Sequence, residues 1–133
     1  MINKLKMTVL IDNIAQEPLA CEWGLSILIQ ANDKKILLDT GASDLFAKNA
    51  GLLGLSLDDV DFAVLSHAHY DHSDGMGAFF DVNESTPFLL RSECEENCYG
   101  IKEGELHYIG IRAGTLRDYS GRINYVDGLA EIS

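Results

Sequence analysis

The sequence predicts a mixed α/β fold, in which a mixed sheet is covered by helices on at least one side. Lys6–Asp12 and the segment WGLSILIQA (residues 23–31) alternate apolar and polar residues, which is typical of half-buried strands. The segment DFAVLS (61–66) is a nearly continuous apolar run, as in a strand that is buried on both faces. Between them, ASDLFAKNAGLLG (42–54) has the composition of a short capped helix.

The rest of the sequence predicts further strands and helices in a mixed order. A turn at residues 32–35 makes KILLDTG (35–41) the returning strand of a hairpin. A helix is predicted from Gly75 to Phe80. Three further strands are predicted at PFLLR (87–91), ELHYIGI (105–111) and GRINYVDG (121–128).

The segment SECEENCYG (92–100) predicts one more helix, because Ser92 and Glu95 have the spacing of a capping box. Cys94 and Cys98 would then face the same side of that helix, where they could bind a metal, form a redox pair or simply pack. Packing is preferred, because no second cysteine or histidine cluster lies nearby. With Cys21 the cysteines number three, which does not suit a disulfide framework and favours a reducing cytoplasm.

Length and charge exclude several classes of partner. The 133 residues suit a single domain with a real core. A formal net charge of −11 repels nucleic acid and anionic lipid but attracts metal cations. Apolar runs stay well below the roughly 18 residues of a membrane span, so neither nucleic acid nor membrane is expected as a partner.

The candidate functional residues lie in VLSHAHYDHSDG (64–75), directly after the apolar strand. His67 and His69 are two residues apart, so in an extended loop they point the same way and can converge on one metal ion. Asp71 and His72 fall beyond the bend and suit a second ion. Imidazole and carboxylate ligands favour zinc, iron or manganese, and two ions about 3.5–4 Å apart would activate a bridging water. The alternative is a polar loop with incidental histidines, which is disfavoured because three of the four histidines lie in this stretch.

The motif resembles the HxHxDH signature of the metallo-β-lactamase-fold hydrolases. The segments WGLSILIQ, ILLDTGASDLFAKNAGLLGLSLDDVDFAVLSHAHYDHSDG and YIGI are similar to one branch of that family. This branch contains metal-dependent hydrolases related to the (ribofuranosyl)aminobenzene phosphate synthase of the methanopterin pathway. The resemblance runs from about Met7 to Ile132.

The resemblance implies an αββα sandwich with up to two divalent ions, zinc above all, at one edge. It assigns His67 and His69 to the first ion and Asp71 and His72 to the second, with Asp71 as the candidate catalytic carboxylate. Asp39 matches a strand-end aspartate that braces the metal loop, although from the residues alone it could equally be a turn aspartate before Gly41. The implied activity is attack of a metal-bound hydroxide on an ester or phosphoester of a small-molecule substrate.

The chain also departs from the family pattern. Family members are longer, and their second half supplies a third histidine, a bridging aspartate and a last histidine. We therefore expect residues 1–133 to form a partial domain corresponding to the first half of the sandwich. His107 lies on a predicted strand and is interpreted as a structural or surface residue. Each ion would have only two protein ligands, whereas zinc usually takes about four ligands in total.

This pattern is compatible with two functions, and for both we expect the chain to associate with another chain or segment. The first is a metal-dependent hydrolase, and the second is a non-catalytic truncated homologue that binds metal weakly or not at all. A nuclease is disfavoured by the charge, and a diiron flavoprotein by His69, where that branch has a glutamate. Because Trp23–Ile29 and Phe62–Leu65 would expose apolar surface, we expect a homo-oligomer or a complementing second half. Little or no turnover is expected of the chain alone.

Overall fold

The computed structural model describes residues 1–131, so Ile132 and Ser133, the last residues of the predicted domain, lie outside the described part. Its elements, in chain order, are β1 (Leu5–Ile11), β2 (Ser26–Ala31), β3 (Lys34–Leu38), α1 (Leu45–Leu52), β4 (Phe62–Val64), α2 (Tyr70–Ser73), α3 (Met76–Val82), β5 (Phe88–Arg91), β6 (Tyr99–Lys102), β7 (Glu105–Tyr108), α4 (Thr115–Asp118), a 3₁₀ turn (Ser120–Arg122) and β8 (Ile123–Val126).

The strands form a six-stranded mixed sheet in the order β1-β2-β3-β4-β5-β8, and β6 and β7 form a separate two-stranded sheet. The first three strands are antiparallel, as the hairpin pattern predicts, whereas β3, β4, β5 and β8 run parallel to one another. The predicted mixed α/β fold is therefore confirmed. The parallel strands matter most for function, because their carboxyl ends meet at one edge of the sheet.

One face of the sheet carries the hydrophobic core. Alternate strand residues such as Leu28, Leu37 and Phe88 are fully buried on this face. The helices α1 and α3 supply Phe46, Phe79 and other apolar side chains of the same core cluster. Asn49 of α1 fastens that helix to β1, since its side-chain amide donates to the carbonyl of Leu10 at 2.7 Å. No helix among residues 1–131 is long and apolar enough to cross a membrane.

The opposite face of the sheet is apolar and, among residues 1–131, is most exposed along β1. Leu5, Met7 and Val9 of β1 are 57%, 57% and 48% exposed. The strand register continues this outer face across the sheet, since Met7 lies beside Ile29, Ile29 beside Ile36 and Ile36 beside Phe62. The expected exposure is met only in part, because Ile27, Ile29, Phe62 and Val64 are half-buried and Leu65 is buried, and the most exposed strand is β1.

Two sequence-based expectations about local structure are wrong. The strand predicted from Trp23 begins only at Ser26, and Trp23 is 67% exposed, because Gly24 takes a φ of 143° and turns the chain. The helix predicted over residues 92–100 does not form. There the side chain of Ser92 pairs with Asp127 instead of capping a helix.

Other contacts of residues 92–100 also explain why the predicted helix does not form. The carboxylate of Glu96 accepts hydrogen bonds from the backbone N–H groups of Gly114 and Leu116, at 2.9 and 3.1 Å. The following residues, from Tyr99, pair as β6 with β7. Cys94 is consequently buried on its own, without a helical partner at Cys98.

The exposed apolar outer face predicts that the chain associates in solution. Met7→Glu should weaken association by at least about tenfold, because a buried interface would then contain an unpaired charge. Ile101→Glu is the matched control, since Ile101 is 77% exposed and lies in the separate β6–β7 sheet. Sedimentation velocity or light scattering measures the change. A stable monomer of the unmodified chain at micromolar concentration would contradict the prediction.

Candidate functional site

The candidate metal ligands lie in the loop that follows β4. This loop includes the short helix α2, which carries Asp71 and His72. In the parallel pairing, Leu38 of β3 lies beside Val64 of β4, so both strands end at the same edge. The backbone N–H of Asp39 donates to the carbonyl of Val64 at 3.0 Å, and that of Thr40 donates to the carbonyl of His72 at 2.9 Å. The end of β3 is therefore tied to both ends of the loop.

Asp39 has the most constrained side chain in this region. It is fully buried, and its backbone takes a φ of 58°, which few residues other than glycine adopt. One carboxylate oxygen, Oδ1, accepts the backbone N–H of Ser66 at 2.7 Å. The other oxygen, Oδ2, lies 2.6 Å from the Ser66 hydroxyl and 2.7 Å from Nδ1 of His72. Asp39 thus has features of both interpretations from the sequence. Its backbone is turn-like, and its carboxylate contacts the loop.

The three imidazoles of the motif form one cluster. The ring of His67 lies 4.6 Å from that of His69 and 4.1 Å from that of His72, measured between centroids. Nε2 of His72 lies 3.6 Å from a carboxylate oxygen of Asp71. The structure therefore brings the four predicted ligands together, and the ring of His67 is close to those of both His69 and His72.

The surroundings of His67 disfavour its protonated form. Desolvation lowers the pKa of His67 from its usual value, and the nearby His72 and His69 rings lower this pKa further. A histidine binds a metal through an unprotonated nitrogen, so a lowered pKa reduces the competition from protons.

Close backbone contacts fix the course of the loop. A Cβ atom on Gly24 would lie 2.2 Å from the carbonyl oxygen of Asp71, and one on Gly75 would lie 2.6 Å from the carbonyls of Ser43 and Thr40. Both positions therefore require glycine. The Thr40 hydroxyl adds a hydrogen bond to the carbonyl of His72 at 3.1 Å.

The β6–β7 hairpin supports the other side of the loop. The backbone N–H of Tyr70 donates to the carbonyl of Ile109 at 3.0 Å, and His69 forms an isolated β-bridge with Gly110. His107 lies on β7 itself and is exposed, opposite Gly100 of β6. It does not join the imidazole cluster.

Several residues of the site have no obvious signal in the sequence. Thr40 contacts the loop through its hydroxyl group, and Ser66 within the loop contacts Asp39 and His67 through its own. A pattern of metal ligands does not reveal such hydroxyl contacts. The positions of both residues do offer a clue, because each directly adjoins a motif residue, His67 or Asp39. The need for Gly24 depends on a contact 47 residues along the chain and is visible only in the fold.

In donor chemistry the cluster fits a transition metal, because imidazole and carboxylate are ligands for zinc, iron and manganese. The number of ligands that the cluster offers is too small for a complete metal site. Within residues 1–131, no group of three or more His, Cys, Asp or Glu side chains is arranged so that it could hold a metal ion.

Comparison with known proteins identifies the family. The model of the metallo-beta-lactamase superfamily matches residues 24–128. The 7,8-dihydropterin-6-methyl-4-(beta-D-ribofuranosyl)-aminobenzene-5'-phosphate synthase of Methanocaldococcus jannaschii is 30% identical over 125 residues, which cover 88% of this chain and 42% of the synthase. An uncharacterized protein of the same organism is 38% identical over 68 residues, or 51% of this chain and 27% of that protein.

Solved structures show the same relationship. Tm1679, a metal-dependent hydrolase of the beta-lactamase superfamily, superposes with a TM-score of 0.71 and 26% identity over 98% of this chain and 45% of its own. MEM-A1, a subclass B3 metallo-beta-lactamase from a soil metagenome, shares the fold at a TM-score of 0.56 and 23% identity, over 86% of this chain and 47% of its own. This chain thus spans less than half the length of these relatives. The resemblance found in the sequence is confirmed, and the chain belongs to the metallo-beta-lactamase superfamily.

Proposed function

We propose that this protein is a metal-dependent hydrolase that acts on an ester or phosphoester bond of a small molecule. The observation that carries the proposal is the cluster of three imidazoles and the Asp71 carboxylate at the carboxyl edge of the parallel strands. His67 and His69 are the proposed ligands of one ion, and Asp71 and His72 those of a second. Zinc is the expected metal, with iron or manganese as alternatives.

The residues of this chain prepare the site for such ions. Nδ1 of His72 is bound to Asp39 at 2.7 Å, so Nε2 is the nitrogen left to coordinate. Asp71 places a carboxylate oxygen 3.6 Å from that nitrogen. A bound divalent ion supplies a water of lowered pKa and polarises the substrate oxygen.

The remaining ligands are proposed to come from outside these residues. The cluster offers two donors to each ion, whereas zinc usually takes about four ligands in total. A second copy of the chain or a complementing segment that covers the outer face of the sheet is the proposed source. The net charge of −11 favours cations and disfavours nucleic acid as the substrate.

A non-catalytic homologue is the alternative and is not favoured. The structural neighbour Tm1679 is described as a metal-dependent hydrolase, and its likeness extends over 98% of this chain. A cytoplasmic location is part of the proposal, because the three free thiols Cys21, Cys94 and Cys98 suit a reducing compartment.

The first prediction from this site concerns metal content. Replacing both His67 and His69 with alanine should abolish bound zinc, because the loop would lose two of its three imidazoles. His107→Ala should leave the zinc content unchanged, since His107 is exposed on the hairpin. Elemental analysis after dialysis against zinc measures the difference. Unchanged zinc in the double variant would place the site elsewhere, for example at the cysteines.

The second prediction concerns activity. Little turnover is expected of the chain alone, because each ion is held by few protein ligands, so metal-loaded chain should hydrolyse a chromogenic phosphodiester or lactone only slowly. This turnover should require added metal and disappear in His69→Ala. Turnover that survives in His69→Ala or in excess chelator would contradict the proposed site. Absence of turnover at saturating metal would contradict hydrolase activity of this chain and favour the non-catalytic alternative.

A further inference from the structure

We propose that Ser66 is a positioning residue that transmits the effect of Asp39 to His67, so that one buried carboxylate fixes the tautomers of two imidazoles. The proposal rests on the proposed function in one respect only, namely that the Nε2 atoms of these two imidazoles bind metal. The hydrogen-bonding arrangement itself stands on the geometry of the loop.

Ser66 lies between two groups that both require its hydroxyl. Its Oγ is 2.6 Å from Oδ2 of Asp39 and 2.8 Å from Nδ1 of His67. The hydroxyl has a single proton, so it can donate to only one of the two.

A count of protons decides the direction of each bond. A carboxylate carries no proton and can only accept, so both groups that reach Oδ2 of Asp39 must donate to it. The Ser66 hydroxyl therefore gives its proton to Asp39. The contact between Oγ and Nδ1 of His67 can then be a hydrogen bond only if Nδ1 carries a proton and donates it. His67 is consequently the Nδ1–H tautomer, with the lone pair of Nε2 free.

The same carboxylate acts directly on His72. Nδ1 of His72 lies 2.7 Å from Oδ2 of Asp39 and must donate, which leaves Nε2 of His72 free as well. Asp39 thus presents the Nε2 atoms of two neighbouring rings, one by direct contact and one through Ser66. His69 is held differently, through its backbone carbonyl, which accepts the Ser73 hydroxyl at 2.9 Å.

Removing the Ser66 hydroxyl isolates this effect from the rest of the fold. Ser66 is exposed, so Ser66→Ala leaves no cavity in the core. The backbone N–H of Ser66 still donates to Oδ1 of Asp39 in that variant, because the contact does not use the side chain. The direct bond between Asp39 and His72 is also retained.

The test is nitrogen-15 NMR of the imidazoles in metal-free protein at about pH 8.5, which is about two units above the ordinary pKa of a histidine side chain. The unmodified chain should show both His67 and His72 protonated at Nδ1. In Ser66→Ala, His67 should shift toward the Nε2–H tautomer that free imidazole prefers in water, while His72 remains unchanged. Ser66→Thr, which retains a hydroxyl, should restore the His67 signal, and Ser85→Ala, at another exposed serine, should have no effect.

Zinc affinity, measured by competition with a chromophoric chelator, provides the second readout. Ser66→Ala should weaken zinc binding by about tenfold, the lower range for loss of a group that orients a ligand, and Ser66→Thr should recover it. An unchanged His67 tautomer in Ser66→Ala overturns the proposal, whatever happens to zinc binding. A shifted tautomer with unchanged zinc affinity supports the role of Ser66 but removes His67 from the metal ligands, and so contradicts the proposed function instead.

Discussion

The buried carboxylate of Asp39 is the constraint on which the site depends. A charged group that is fully removed from water is tolerated only when its oxygens are hydrogen-bonded. Asp39 meets this requirement with three donors, all from the loop that follows β4. Hydrogen bonds to a charged group stabilise by about 1.5–3 kcal/mol each, so the carboxylate and the loop hold each other in place.

The parallel part of the sheet makes this contact possible. Because β3 and β4 run in the same direction, the end of β3 and the beginning of the loop meet at one edge. Gly24 and Gly75 then let neighbouring backbone approach the loop more closely than any side chain would permit. On the other side of β3, the hydroxyl of Ser26 at the start of β2 donates to the carbonyl of Asp39 at 2.8 Å. The antiparallel strands also extend the apolar outer face that we expect a second copy or segment to cover.

Much of this arrangement could be predicted from local sequence. Alternating and continuous apolar segments indicate the six strands of the main sheet, and the family resemblance indicates its position within a larger sandwich. Sequence reasoning failed where a distant contact decides the local structure. Ser92 and Glu95 have the spacing of a helix cap, yet Ser92 bonds to Asp127 and the neighbouring Glu96 caps residues beyond the hairpin. Trp23 lies outside its predicted strand for the same kind of reason, since the chain turns at Gly24 to reach the loop at Asp71.

The site itself was only partly visible in the sequence. The spacing of the motif separates His67 and His69 from Asp71 and His72, whereas the folded loop places the His67 ring nearer to His72 than to His69. The bend that produces this depends on hydrogen bonds from Thr40, Ser66 and Ser73, none of which is itself a typical metal ligand.

We propose that the chain binds metal in the loop between β4 and α3. X-ray absorption spectroscopy of the zinc-loaded chain tests this directly, because it reports the atoms around the ion. We predict imidazole nitrogen and carboxylate oxygen at about 2.0–2.2 Å, without sulfur. Sulfur at about 2.3 Å would instead assign the metal to cysteine and contradict the account.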